Sequence, residues 1–231
     1  MRRISQPLTV TAFIIVSIGI AGAVSTDSWR STRITDPNQH QRTGENRYPY
    51  RAQSQYILKE LDLRSGDVVV DVGAGDGWWA LRMAELVDEN GIIYAAEVEN
   101  KMVDEMKEKF ADVPQIKPYL CKADGVELGE NSCDLAFLSQ VYHHLDKDGR
   151  IDYLRRLGDV VKPTGRLCVI EKYATIATEQ GSHGTALSEL IAQAEQAGWI
   201  PVRCELMTGT YHYLAIFVQR DLFGPEPSSL P

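Results

Sequence analysis

The chain has 231 residues, of which 44% are hydrophobic and 24% charged. That length fits one generous domain with a tail, and that balance excludes collagen-like, disordered and multi-span membrane chains. A formal net charge of −8 argues against a nucleic-acid backbone as partner, because polyanion binding normally needs a basic face.

The N-terminus stands apart. Arg2 and Arg3 precede an apolar stretch from Leu8 to Val24 that ends near Ala21-Gly22-Ala23. A charged start, an apolar run and small residues resemble a secretory signal peptide, and an uncleaved membrane anchor is the rival. The pattern predicts export or anchoring through residues 8–24, with a cytoplasmic chain as the alternative. Residues 25–47 are polar and aperiodic and read as a linker.

From Tyr48 onward strands alternate with helices. Residues 52–61 are expected to form an amphipathic helix, with Tyr56, Ile57 and Leu61 near one face. Residues 67–71 (DVVVD) read as a strand buried in a parallel sheet. A helix over 78–87, a turn at Asn90-Gly91 and a strand over 92–96 follow. Asn100 is expected to cap a helix whose Met102, Met106 and Phe110 fill the core. Strands are then expected over 116–121 and 134–139, and a helix turning Ile151, Leu154 and Leu157 inward. Lys162-Pro-Thr-Gly165 reads as a turn into a fifth strand, 166–171. A helix over 185–197 stops at Gly198. Two strands, 202–206 and 211–219, lie close enough to pair as a hairpin. The expected fold is a doubly wound α/β sheet, Rossmann-like, seven-stranded and mostly parallel, with an antiparallel strand at the end. Residues 221–231 read as a frayed tail.

Chemistry concentrates at the strand ends. Asp71-Val-Gly73-Ala74-Gly75-Asp-Gly77 joins the first strand to its helix, where glycines let backbone approach a ligand without a Cβ clash. A dinucleotide fingerprint would require a third glycine where Trp78 stands, and no phosphate-loop Lys-Ser/Thr follows. Glu97 ends the second strand, placed to grip ribose hydroxyls. Asp124, followed by Gly125, comes after the third strand and can accept from an adenine amino group.

These residues resemble the class I S-adenosylmethionine-dependent methyltransferases, over about Ala52 to Gln219. VVVDVGAGDG is similar to that family's first motif, Glu97 to its ribose-binding acid and Asp124 to its adenine-contacting acid. Residues 134–145, DLAFLSQVYHHL, are similar to its fourth motif with an HHL continuation. The resemblance implies an S-adenosylmethionine cofactor held by Asp71, Gly73, Ala74, Gly75, Gly77, Glu97, Asp124, Gly125 and Ser139. It implies methyl transfer to a small-molecule or lipid acceptor, with a non-catalytic S-adenosylmethionine-binding protein as the alternative. His143 and His144 sit at the mouth of the site as candidate general bases. Tyr173 and His183 can line an acceptor pocket, and alternation sends only some of Tyr211, His212 and Tyr213 toward it. Neither the paired histidines nor the scattered cysteines have a metal-ligand spacing. The site is expected to be open, or lidded by the N-terminal segment and the 171–184 loop.

Overall fold

The structure, a computed structural model, describes residues 48–174 and 183–224. The expected leader and linker, and the last seven residues of the expected tail, lie outside them. Among the described residues no helix is long and apolar enough to cross a membrane.

The chain enters through a 3-10 turn, Pro49–Gln53, and helix α1, Ser54–Leu61. The proline stands at the start of that turn, where its missing N–H is no loss. Ile57 and Leu61 bury one face of α1, while the Tyr56 hydroxyl donates to Glu205 at 2.7 Å. The helix ends at Asp62 in the left-handed conformation, and Arg166 caps it by donating to the Leu61 carbonyl at 2.7 Å.

Strand β1, Val68–Val72, leads through the glycine loop into α2, Trp78–Val87. Then come β2, Ile92–Glu97; α3, Asn100–Lys109; β3, Ile116–Leu120; and β4, Cys133–Ser139. Helix α4, Arg150–Val160, runs directly into β5, Val161–Lys172. Helix α5, Leu187–Gln196, precedes the pair β6, Trp199–Met207, and β7, His212–Gln219. Gly198 follows α5 at φ +94°, a conformation that suits glycine at a helix end. The order across the sheet is β3-β2-β1-β4-β5-β7-β6. Strands β1 to β5 pair in parallel, and β7 is antiparallel to both β5 and β6. The expected architecture is therefore present, with the order reversing beside β1, where open sheets of this type bind ligands.

Buried side chains fill both faces of the sheet. Val70, Ala136, Leu138, Leu154 and Trp199 lie in one layer, and Val69, Met83, Ile93, Phe137 and Leu214 in the other. Burying successive residues on opposite faces is why the parallel strands read as continuous apolar runs.

Four local expectations are corrected. Lys162–Gly165 is no separate turn but a bulge within β5, where pairing jumps from Cys133↔Val161 to Leu135↔Arg166. A Cβ at Gly165 would approach Val161 Cγ1 to 2.5 Å, and Lys162 Nζ anchors the bulge on Asp134 at 2.8 Å. Asn100 opens α3 without capping it, because its amide instead donates to Asp104 at 3.1 Å. Inside α4 it is Tyr153, Leu154, Leu157 and Val160 that are buried, with Ile151 only half-buried. Finally, the start of the expected tail is ordered, since Arg220–Phe223 forms a 3-10 turn.

Candidate active site

Beyond the carboxyl ends of β1, β2 and β4 lies a cavity of about 620 Å³. Its floor is the glycine loop. Gly73, Gly75 and Gly77 have φ of +63°, +59° and +71°, a left-handed region that side chains penalise. A Cβ on Gly73 would lie 2.5 Å from Val141 Cγ2. A Cβ on Gly75 meets nothing nearer than Met102 Cε at 3.9 Å, so any side chain there would occupy the cavity itself. Gly77 serves packing: its Cβ would strike Phe110 at 2.3 Å, so α2 and α3 close tightly behind the loop.

Two acids face this floor. Asp71 is buried and lines the cavity, and its Oδ2 has no hydrogen-bond partner. Burial above all, and then the nearby Glu97, raises its carboxyl to about 8. Glu97, also buried, accepts from the Gly75 N–H at 3.0 Å and from the Val98 N–H at 2.7 Å. It therefore braces the loop as well as edging the cavity.

A strap formed by Tyr48, Tyr50 and Arg51 also lines the cavity. The Tyr50 hydroxyl and Ser139 Oγ are 3.0 Å apart, and Trp79 Nε1 donates to the same Ser139 oxygen at 3.0 Å. The Tyr50 ring lies 4.6 Å from that of His212, whose burial pushes it down to about 4. The strap is thus pinned to β4 and β7.

The fourth-strand loop separates the two histidines. His144 lines the cavity, whereas His143 does not. His143 Nδ1 lies 2.9 Å from Glu171 Oε2, and its backbone N–H donates to that oxygen at 3.1 Å. Glu171, fully buried at the end of β5, is further held by Gln140 Nε2 at 3.2 Å and the Lys172 N–H at 2.7 Å. Gln140 itself sits at φ +61°, a strained conformation for a residue that is not glycine. The two imidazoles are 3.9 Å apart. Burial first, and then His143, lowers the pKa of His144, which keeps that ring neutral at neutral pH.

Of the residues expected to hold a cofactor, Asp71, Gly73, Ala74, Gly75, Glu97 and Ser139 line the cavity, and Gly77 lies behind it. Asp124 and Gly125 edge a separate concavity. Lys122 and Gly125 bridge to each other, and Arg156 draws the Asp124 carboxylate outward at 3.3 Å while also bonding its carbonyl. Ala123 and Lys122 line the main cavity in their place. Met102 also lines it, instead of serving as core filler. Tyr173 and Tyr211 are exposed, and the His183 ring stands 6.0 Å from His143. Tyr213 is buried away from the cavity, while His212 backs the strap. The sequence reading missed Tyr50, Arg51 and Glu171, and only their nearness to recognised elements could have signalled them.

The fold and the glycine-floored cavity define a Rossmann-like methyltransferase domain, and comparison with known proteins agrees. Residues 69–165 match the family model described as a methyltransferase domain. The ubiquinone/menaquinone biosynthesis C-methyltransferase UbiE of Paraburkholderia phymatum is 26% identical over 124 residues, which is 53% of this chain and 50% of that protein. The match thus spans about half the length of this curated relative. A solved S-adenosylmethionine-dependent methyltransferase from Aquifex aeolicus superposes with a TM-score of 0.63 at 25% identity, covering 73% of this chain and 92% of the other. A possible exported protein from Bordetella parapertussis shares the fold at a TM-score of 0.64 and 17% identity, over 80% of this chain and 76% of that one. These likenesses support a class I S-adenosylmethionine-dependent methyltransferase, and they imply S-adenosylmethionine as the cofactor. The cavity fits that molecule: glycines leave room at the floor, and the unpartnered Asp71 oxygen offers a carboxylate to its cationic end.

Proposed function

We propose that this protein is an S-adenosylmethionine-dependent methyltransferase that acts on a small-molecule or lipid acceptor. The reading is carried by one observation: a single cavity is lined by a glycine loop, two buried acids and the His144 imidazole. Asp71, the backbone of Gly73–Gly75, Glu97 and Ser139 would hold the cofactor. S-adenosylmethionine, when bound, supplies an activated methyl group for in-line displacement, so the protein's task is mainly alignment.

His144 takes the proton from the acceptor's nucleophilic atom onto a ring nitrogen. His143 is a positioning residue. With the Glu171 carboxylate accepting, Nδ1 of His143 is the donor, and the ring is fixed against His144. The flat rings of Tyr48, Tyr50 and Trp79 on the cavity wall favour an acceptor with an aromatic or quinone-like ring. The UbiE relatives are C-methyltransferases of ubiquinone/menaquinone biosynthesis, which supports the same acceptor class. An export or anchor segment at residues 8–24 would bring such a lipid within reach.

Incubating the full chain with methyl-labelled S-adenosylmethionine and a panel of phenols and short-chain quinols tests the reading. Label transferred to at least one acceptor, and reduced about a hundredfold by His144→Gln, is the expected result. Cofactor binding without transfer to any acceptor in the panel would favour a non-catalytic binding protein.

A further inference from the structure

The hydroxyls of Tyr50 and Ser139 make one hydrogen bond to each other, at 3.0 Å. Both side chains line the cavity. Trp79 Nε1 brings a third donor, 3.0 Å from Ser139 Oγ. An indole N–H only donates, and each hydroxyl has one proton to give. Two hydroxyl protons share one mutual bond, so one proton is left over whichever way that bond runs. Among the described residues neither hydroxyl has another hydrogen-bond acceptor.

The spare donor is protected and held in place. Tyr50 is 1% exposed, and burial raises its hydroxyl above the usual 10, so it keeps its proton at neutral pH. Trp79 and Arg51 oppose that rise as donors to the same hydroxyl, which adds donors and no acceptor. The Tyr50 ring packs against His212 and Trp79, with centroids 4.6 and 6.3 Å away. A corner rich in donors and poor in acceptors, inside a desolvated cavity, is costly until an oxygen atom completes it.

We propose that Tyr50, oriented by Ser139 and Trp79, is a specificity-determining residue that donates to an oxygen on the methyl acceptor. This rests on the methyltransferase reading above and narrows the acceptor to an aromatic ring bearing a hydroxyl. The phenolic hydroxyl is a stronger donor than the alcohol, so the ligand oxygen takes the Tyr50 proton while Ser139 donates to Tyr50. Where the acceptor hydroxyl gives its proton to His144, the oxygen left behind is an anion. A hydrogen bond to that anion is stronger than one to the neutral hydroxyl, so Tyr50 favours the reactive form. A ring of the same shape without the oxygen would leave the donor buried and unpaired, and is rejected for that reason.

The test is calorimetric titration of the full chain, saturated with S-adenosylhomocysteine, using 2-naphthol and naphthalene as probes. The two share a ring shape and differ in the oxygen. The unaltered chain is expected to bind 2-naphthol at least about tenfold more tightly than naphthalene. In Tyr50→Phe that preference should shrink to within about twofold while naphthalene affinity is kept, the latter also showing that the cavity is formed. No preference in the unaltered chain would overturn the assignment without recourse to any variant. So would a preference that survives Tyr50→Phe, including one then abolished by Ser139→Ala. Failure of S-adenosylhomocysteine itself to bind would remove the methyltransferase reading and this proposal with it, and is seen before either probe is added.

Discussion

One wall of the cavity is largely backbone from a continuous stretch of chain, and the other is side chains gathered from distant segments. On the first, residues 73–77 turn between β1 and α2, and Glu97 of the neighbouring strand accepts from the loop's own N–H at Gly75. On the second, Tyr50 and His144 come from the entry turn and the loop after β4, and they are backed by Glu171 of β5 and His212 of β7. A backbone-built wall tolerates few changes and is generic to any ligand with the same end group. A wall built of side chains can vary while the fold stays the same, so the proposed function places acceptor choice there.

Substitutions on the two walls should separate cofactor binding from chemistry. The largest effect is expected from Gly75→Val. Its side chain would enter the cavity and strain a φ of +59°, so S-adenosylhomocysteine binding should disappear by calorimetry while the circular dichroism spectrum stays native. Unchanged affinity would sink the cofactor wall. On the other wall, Glu171→Gln should lower kcat about tenfold to a hundredfold by releasing His143, and it should leave cofactor affinity unaltered. A loss of affinity matching the loss of kcat would deny the two walls separate roles.

A pH effect of intermediate size is expected from Asp71. Its carboxyl, raised from an ordinary 3.8 to about 8, is faced by Glu97, Asp76 and Arg51. The folded chain binds this proton more tightly than the unfolded chain, so the contribution of Asp71 to stability is present at low pH and is lost as pH rises from about 4 to about 8. A cationic ligand end favours the ionised form, so S-adenosylhomocysteine affinity should rise through the upper part of that window. Asp71→Asn should flatten both trends, in thermal melts and in calorimetry at pH 6 and pH 8. The smallest effect belongs to Tyr50→Phe, which removes the hydroxyl bonded to Ser139. A loss of about 1 kcal/mol is expected, seen as a fall in Tm of about 2–4 °C.

The same contrast explains what could be read from the chain. The glycine loop, Glu97 and the strand–helix alternation are short-range patterns, set by backbone requirements at adjacent positions, and they were legible. The hairpin was legible because one short turn separates its strands. Asp124 shows the limit, because a strand-end acid looks alike in sequence whether it faces the cavity or pairs, as here, with Arg156. The Lys162–Gly165 stretch looked like a turn because a bulge uses the same residues as a turn. The Tyr50–Ser139 bond and the His143–Glu171 contact join residues far apart in sequence. No local pattern encodes such contacts, so the acceptor wall emerged only from the packed structure.

The central claim, that the glycine-floored cavity is an S-adenosylmethionine site, is tested most directly by calorimetric titration of the full chain with S-adenosylmethionine, with NAD as the control. The account predicts saturable one-to-one binding of S-adenosylmethionine at micromolar concentrations and none of NAD. Binding of NAD alone, or of neither ligand, would contradict it.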